Sequence, residues 1–225
     1  MSLILFDLFD TLATQVHPDR PAQQAFADKL GLDLEQIRSW WKSQLRERMT
    51  DTYATYDEIL RALCNALGAT VDERTLTAIN SARLEARRRY LHDVDAAVID
   101  VLEYLRAKNW RLGLVSNAMP DEAAAWPGSP LTRHFDHVVF SCCAGCLKPE
   151  PQIYQLACAH FGASPHEVIF VGDGGFDELQ GAAALGMRPV QANWYRKRAL
   201  KWDIEAVELI SLERIEDLPG WLESI

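Results

Sequence analysis

The stretch LILFDLFDT, residues 3–11, predicts both the fold class and the position of a functional site. Its first four residues, 3–6, form a short apolar run that is typical of a strand buried on both faces of a parallel sheet. The run ends abruptly in the carboxylate of Asp7. Because α/β proteins bind ligands at the carboxyl ends of their parallel strands, we expect Asp7 to lie in a functional site.

The composition indicates a globular protein that handles small molecules. The 225 residues are 48% hydrophobic, which is enough for an ordinary core, and the net charge of -9 opposes binding to nucleic acid or anionic lipid. The sequence shows neither a membrane-spanning stretch nor a signal-peptide pattern, and five cysteines, an odd number, suit a reducing compartment. We expect a cytoplasmic monomer or homodimer without nucleic-acid or membrane partners.

The chain contains two kinds of sequence pattern. From residue 18 to about residue 90 the pattern predicts consecutive helices, with start signals at Asp33, Thr55 and Thr70. The triplet 87–89, three arginines, is interpreted as a solvated face of the last of them. Beyond residue 93, short β-type runs alternate with helical patterns such as that at 96–107. These predicted strands cover residues 112–115, 138–140, 168–171, 189–191 and 207–210.

This alternation predicts an α/β protein with a parallel sheet that carries helices on both faces. The first strand belongs with this sheet, although the helical block separates it from the others in sequence. We therefore predict a core domain formed by residues 1–14 and 94–225, with residues 15–93 inserted as a helical domain. An insertion at the carboxyl end of a strand lies over the ligand site, so we expect this domain to act as a cap.

Polar side chains follow several of the predicted strands. Ser116 and Asn117 end the second strand, Lys148 lies on the loop after the third, and Asp173 and Asp177 follow the fourth across a glycine pair. In a parallel sheet these strand ends share one edge. Carboxylates, a hydroxyl and an ammonium group together suit a nucleophile and a hard cation that act on an anionic group.

At this point the sequence resembles the haloacid dehalogenase superfamily. The segments that carry the resemblance are residues 7–11, 116–117, 148–149 and 172–177, which match its four motifs in order and spacing. The position of the insertion is similar to that of the branch with a helical cap between the first two motifs. The resemblance implies a Rossmann-like, doubly wound core with a helical-bundle cap, and a hydrolase that uses an aspartate nucleophile.

The resemblance also implies a metal site. Asp7 would attack a phosphoryl group and form an aspartyl intermediate. Mg²⁺ would be held by the carboxylates of Asp7 and Asp173 and by the backbone carbonyl of Phe9, with Asp177 completing or orienting this oxygen-rich shell. The substrate implied is a small phosphorylated molecule.

The remaining motif residues are implied to contact the substrate or the nucleophile. Ser116 and Lys148 would be catalytic, the first by hydrogen bonding to a phosphoryl oxygen and the second by offsetting negative charge. Asn117 and Thr11 would also bind the substrate, and Thr11 would steady the loop after the first strand.

The chain departs from the phosphatases of this superfamily at Phe9, where they carry an aspartate that protonates the leaving group. The superfamily's dehalogenases place an aromatic residue there, because a departing halide needs no proton. These dehalogenases, however, use no metal, lack the acidic fourth motif, and carry a halide-binding arginine early in the cap, where residues 31–34 have none. The retained carboxylates favour a Mg²⁺-dependent phosphatase. A 2-haloacid dehalogenase and a noncatalytic binding protein are the alternatives.

A phosphatase without an acid at Phe9 either takes its proton from elsewhere or uses leaving groups that need none. Asp10 and the histidines near the cap hinges, His17 and His92, are the candidate donors. Aryl and acyl phosphates, whose leaving groups are weakly basic, depend least on such a donor.

Overall fold

The computed structural model describes residues 3–14, 20–195 and 210–225. The strands in these residues are β1 (Leu3–Phe6), β2 (Arg111–Ser116), β3 (His137–Phe140), β4 (Val168–Gly172), β5 (Arg188–Ala192) and β6 (Ile210–Leu212). All pair in parallel, in the order β3-β2-β1-β4-β5-β6. The order runs outward in both directions from β1, as in a doubly wound Rossmann-like sheet.

Helices connect the strands. In chain order they are α1 (Arg20–Leu30), α2 (Leu34–Ser43), α3 (Leu45–Met49), α4 (Tyr56–Leu67), α5 (Glu73–His92), α6 (Ala96–Ala107), α7 (Pro120–Ala125), α8 (Ser141–Ala144), α9 (Pro151–Phe161), α10 (Glu178–Ala184) and α11 (Asp217–Glu223). Short 3₁₀ turns cover Trp126–Gly128, Thr132–His134, Pro165–Glu167 and Gly175–Asp177. Among the described residues, no helix combines the length and apolar character needed to cross a membrane.

Alternation along β1 shows how the sheet is buried. All four of its side chains are fully buried, but Ile4 and Phe6 belong to one hydrophobic cluster while Leu3 and Leu5 belong to another. Because successive strand side chains point to opposite faces, the two clusters are the two covered faces of the sheet. The predicted α/β class with helices on both faces is confirmed.

The predicted strands agree with the observed ones to within about a residue, except the last. We predicted it over 207–210, whereas β6 begins at Ile210, and residues 207–209 lie outside the described part of the chain. Two helix starts are as predicted: Asp33 accepts a hydrogen bond from the Gln36 N–H, and Thr55 accepts one from that of Glu58. The start predicted at Thr70 is wrong. Asp72 caps α5 instead.

Helices α1–α5, here called the helical segment, follow β1 in sequence and have a hydrophobic cluster of their own. Its buried members, all between residues 27 and 79, include Ile59, Leu60 and Leu63, and none belongs to the two clusters of the sheet. An independent cluster is what a separately packed unit requires. The division into core and cap domains remains our prediction, and this packing agrees with it.

Ion pairs join the helical segment to the core. Arg83 and Arg87 of α5 both donate to one Asp121 oxygen, at 2.8 and 3.1 Å, and Arg87 also lies 3.4 Å from Glu122. The Arg87 side chain is only 12% exposed. Our interpretation of 87–89 as a solvated face is therefore wrong for Arg87, because the sequence does not show that α7 packs against this side of α5.

Close packing at Gly181 sets the distance between α10 and the loop that carries Lys148. A Cβ atom at this position would stand 2.8 Å from both the Pro149 Cβ and the Tyr154 hydroxyl, and 2.9 Å from the Pro149 carbonyl oxygen. Backbone on one side and a fully buried tyrosine on the other leave little room for adjustment. The absence of a side chain at Gly181 therefore allows α10 to approach the Lys148 loop.

We predict that Gly181→Ala lowers the free energy of unfolding by about 1–3 kcal/mol, because the added methyl group overpacks this contact. Gly220→Ala is the matched control, since Gly220 also lies in a helix but a Cβ added there would have nothing within 4 Å. The control should be neutral or stabilising by up to about 1 kcal/mol. Urea denaturation of both variants makes the comparison, and equal effects would contradict the packing argument.

Candidate active site

Asp7 lies at the centre of the sheet edge, directly after β1 and between β2 and β4. Its N–H donates to the Val171 carbonyl at 2.8 Å, so the backbone continues the strand pairing through this residue. The side chain is 8% exposed. The Thr11 hydroxyl donates to Asp7 Oδ2 at 3.2 Å and the Lys148 ammonium donates to Oδ1. Each carboxylate oxygen thus has a donor that fixes its orientation.

Lys148 connects this carboxylate to a second one. Its ammonium group also donates to Glu178 Oε2 at 2.5 Å, and its side chain is 2% exposed. Burial disfavours the charged form, but the carboxylates of Asp7 and Glu178 outweigh burial and raise the lysine pKa. Lys148 is therefore a fixed positive charge between two acids.

Asn117 positions this lysine. Its side-chain amide donates to the Lys148 carbonyl at 3.0 Å and accepts from the Lys148 N–H at 2.7 Å. Both ends of the Asn117 amide are thus engaged with the backbone of one residue. We predicted Asn117 as a substrate ligand, and the structure instead places it as a brace between the end of β2 and the Lys148 loop.

Ser116 differs from its neighbours because its hydroxyl has no hydrogen-bond partner. The residue is the last of β2 and is fully buried, and its Oγ lies among the few unsatisfied buried polar atoms in the described chain. Leaving a buried hydroxyl without a partner typically costs about 1–3 kcal/mol. An unsatisfied donor at this sheet edge suits a residue that hydrogen-bonds to a ligand.

Three carboxylates gather at the edge. Asp7, Asp173 and Glu178 each offer an oxygen within 4.8 Å of the others. Burial first, and the charge of Asp7 second, raise the pKa of Asp173 to about 6 and that of Glu178 well above its usual value. Burial and the neighbouring carboxylate thus both disfavour the charged forms of Asp173 and Glu178.

Asp177 does not join this group, in contrast to our prediction. Its side chain is exposed and the next residue, Glu178, turns inward at the start of α10 with 2% exposure. Backbone geometry is the cause, because Phe176 and Asp177 both adopt left-handed conformations, with φ of 55° and 53°. Gly172 also leaves the space that the Glu178 side chain fills, because a Cβ atom at position 172 would collide with the Glu178 carboxylate.

Glu178 was missed because spacing alone does not separate two consecutive acidic residues. The available signal was the helical pattern that begins at residue 178, since the first residue of a helix that follows a strand lies near the sheet edge. The handedness of the preceding turn decides which acid points inward, and a non-glycine residue at positive φ is uncommon enough that the sequence does not predict it.

Phe9 faces the helical segment. It is partly buried, and its ring meets that of Tyr90 edge to face, with centroids 6.0 Å apart. Of the candidate proton donors, Asp10 has φ of 57° and lies close enough to add to the raised pKa of Asp173. His92 is exposed at the end of α5, and His17 lies outside the described residues.

The site fits a divalent cation. Three carboxylates, two buried and one partly buried, and a single ammonium group leave about two negative charges when all are ionised, which a divalent cation would offset. All the donors offered by the cluster are oxygens, which hard cations such as Mg²⁺ prefer. Hydroxyl, ammonium and carboxylate groups thus converge around one buried nucleophile candidate.

Comparison with known proteins identifies the family. Residues 1–186 match the haloacid dehalogenase-like hydrolases. The chain belongs to this family. The resemblance noted in the sequence is confirmed, and with it the assignment as a hydrolase at the level of the family.

The relatives include proteins with different activities. The chain is 31% identical over 151 residues to the phosphoserine phosphatase of Thermus thermophilus, covering 67% of this chain and 55% of that protein. It is 30% identical over 196 residues to (S)-2-haloacid dehalogenase 4A of Burkholderia cepacia, covering 84% and 81%. A HAD phosphatase from Thermococcus onnurineus has a similar fold, with a TM-score of 0.68 at 21% identity over 99% and 98% of the two chains.

Truncation to alanine should change the free energy of unfolding differently at Ser116 and at its neighbour Asn117. Ser116→Ala removes an unsatisfied buried hydroxyl, so we predict an unfolding free energy that is unchanged or raised by about 1–2 kcal/mol. Asn117→Ala leaves the N–H and carbonyl of Lys148 without their partner and should cost about 1–3 kcal/mol. Chemical denaturation measures both. A destabilised Ser116→Ala would show that the hydroxyl is bonded within the fold and is not available to a ligand.

Proposed function

We propose that the chain is a magnesium-dependent phosphatase that acts on a small phosphorylated metabolite through an aspartyl-phosphate intermediate, in the cytoplasm. The carboxylate cluster of Asp7, Asp173 and Glu178 carries this proposal. Its excess negative charge is costly unless a cation offsets it. The dehalogenases that the sequence resembles use no metal and lack the acidic fourth motif, so a retained cluster favours phosphoryl chemistry.

The proposed metal ligands are the carboxylates of Asp7, Asp173 and Glu178 and the backbone carbonyl of Phe9. Glu178 takes the place that we first assigned to Asp177. When bound, Mg²⁺ would offset the charge of the phosphoryl oxygens beside the nucleophile. The donor set is made of oxygens throughout, in agreement with this ion.

In the proposed reaction, an oxygen of Asp7 attacks phosphorus, the bond to the leaving oxygen breaks, and water later hydrolyses the aspartyl phosphate. Thr11 and Lys148 hold the attacking carboxylate by one donor on each oxygen. Ser116 would donate its unpartnered hydroxyl to a phosphoryl oxygen. Lys148, braced by Asn117, would offset negative charge that develops during transfer.

Phe9 limits the leaving group. Its ring can neither donate nor accept a proton, and general acid catalysis typically contributes about 10²–10⁴-fold. Without it, substrates whose leaving oxygen is weakly basic, such as aryl and acyl phosphates, retain the most reactivity. The helical segment, as a cap, would cover the site, and Tyr90 of this segment contacts the ring of Phe9.

A 2-haloacid dehalogenase is the second candidate, and Phe9 is the observation that favours it. In that reaction an oxygen of Asp7 would attack carbon and displace a halide, which needs no proton. The 30% identity to a dehalogenase also supports it. The metal requirement separates the two candidates, because displacement of halide in this family needs no cation.

We predict that EDTA abolishes hydrolysis of p-nitrophenyl phosphate and that Mg²⁺ restores it. Calorimetric titration should show Mg²⁺ binding at least tenfold weaker in Glu178→Gln, which removes a charged ligand from the cluster. Asp177→Asn is the matched control and should keep the parent's Mg²⁺ affinity, because its side chain is exposed. Release of chloride from 2-chloropropionate in the presence of EDTA would instead establish the dehalogenase.

We predict that the parent cleaves aryl phosphates far faster than alkyl phosphates. Phe9→Asp supplies a proton donor two residues from the nucleophile and should raise alkyl turnover by up to about 10²-fold over Phe9→Asn, which has nearly the same shape but no acid. Aryl turnover should differ little between these variants. Equal alkyl rates in the two would show that position 9 does not reach the leaving group.

A further inference from the structure

A cavity of about 280 Å³ opens beside Lys148, where the helical segment meets the core. One wall comes from α3 and the others from the Lys148 loop and from the turn between β4 and α10. Lys148, whose ammonium group donates to the nucleophile candidate Asp7, is one of the residues that line the cavity. Its lining residues are Leu45, Arg46, Leu147, Lys148, Pro149, Glu150, Phe176 and Asp177.

The turn that contributes Phe176 and Asp177 is strained. Both residues adopt left-handed backbone conformations, which are unfavourable for a bulky side chain such as Phe176. Such conformations persist where the surrounding structure enforces them, and they cluster at ligand-binding sites. The result here is an aromatic ring that is 42% exposed at the wall of a cavity, where an ordinary core phenylalanine would be buried.

The charges around the cavity leave one carboxylate available. Arg46 and Glu150 pair with each other across the boundary between α3 and the loop before α9, and Lys148 pairs with Asp7 and Glu178. The side chain of Asp177 has no ion pair or hydrogen bond to any other residue in the described ranges 3–14, 20–195 and 210–225. The unmatched charge at this cavity is therefore negative.

We propose that this cavity binds the leaving group of the substrate and that the leaving group carries an ammonium group beside an apolar body. This inference rests on the phosphatase proposed above and adds the chemical class of the substrate. The face of Phe176 attracts a cation through its ring quadrupole, and the Asp177 carboxylate attracts it directly. Both residues line the same cavity, so the proposed cationic group would lie between them.

The size of the cavity agrees with a small leaving group. Its volume lies just below the range of about 300–1,000 Å³ of typical ligand pockets, which agrees with a small arylalkylamine as the leaving group. An aryl leaving group also meets the requirement set by Phe9, because a phenolate departs without a proton donor. Phe176 and Asp177 thus act as specificity residues, separate from the residues that attack phosphorus.

Two aryl phosphates test the proposal: tyramine O-phosphate, and 4-(2-hydroxyethyl)phenol phosphorylated on its phenolic oxygen. They differ only in that the second carries a neutral hydroxyl where the first carries an ammonium group. The parent should favour the amine in kcat/KM. Asp177→Asn should lower the ratio of amine to alcohol by about fivefold, as a partly screened ion pair allows. Asparagine tolerates left-handed backbone, so the turn should be kept. Asp100→Asn, an exposed aspartate on α6 away from the cavity, is the matched control and should leave the ratio unchanged.

Phe176→Leu keeps an apolar side chain without the ring and should also lower the ratio, since a leucine has no quadrupole to attract the cation.

Binding of tyramine itself, measured by NMR with ¹⁵N-labelled protein, requires no phosphoryl chemistry. It should perturb the amides of residues 174–178 in the parent and do so less in Asp177→Asn. A parent that binds tyramine but cleaves no phosphate ester would overturn the phosphatase proposal and keep the subsite. An unchanged substrate ratio in Asp177→Asn, or no tyramine binding, would overturn the subsite.

Discussion

The buried ammonium of Lys148 lies between Asp7 and Glu178, and most of the site is arranged around it. Breaking a buried ion pair by removing one partner typically costs about 3–5 kcal/mol, because the other charge is left uncompensated. Here one cation serves two carboxylates, and a third, Asp173, lies beside them. Much of the neighbouring structure serves to hold this lysine in place.

Two contacts fix the Lys148 loop, and a third fixes α10, which packs against the loop. Asn117 bonds to both polar groups of the lysine backbone, α10 approaches the loop through the bare face of Gly181, and Tyr154 donates to the Glu178 carbonyl at 2.7 Å. Together they couple the ends of β2 and β4 to the nucleophile candidate Asp7, directly after β1. Strong coupling of this kind preorganises charge, which is the main requirement for a reaction that transfers an anionic group.

The helical segment affects function through its boundary with the core. Arg83 and Arg87 anchor α5 to Asp121, and Phe9 packs against Tyr90 of the same helix. On the other side, α3 forms one wall of the cavity beside Lys148. In the proposed function, chemistry and selectivity are thus assigned to different elements, since the sheet edge would hold the reacting groups while the segment and the Phe176–Asp177 turn would shape the space around the leaving group.

Local patterns in the chain were enough to predict the class of fold and the succession of strands and helices, because a buried strand and an amphipathic helix have distinct apolar periods. They also predicted that Asp7, Ser116, Lys148 and Asp173 would share one sheet edge, since parallel strands end on the same side. The folded structure was needed to show that Glu178 rather than Asp177 turns inward, that Asn117 braces Lys148, and that Arg87 is buried. These outcomes depend on backbone handedness in one turn and on contacts between residues distant in sequence, and no local pattern of side chains encodes either.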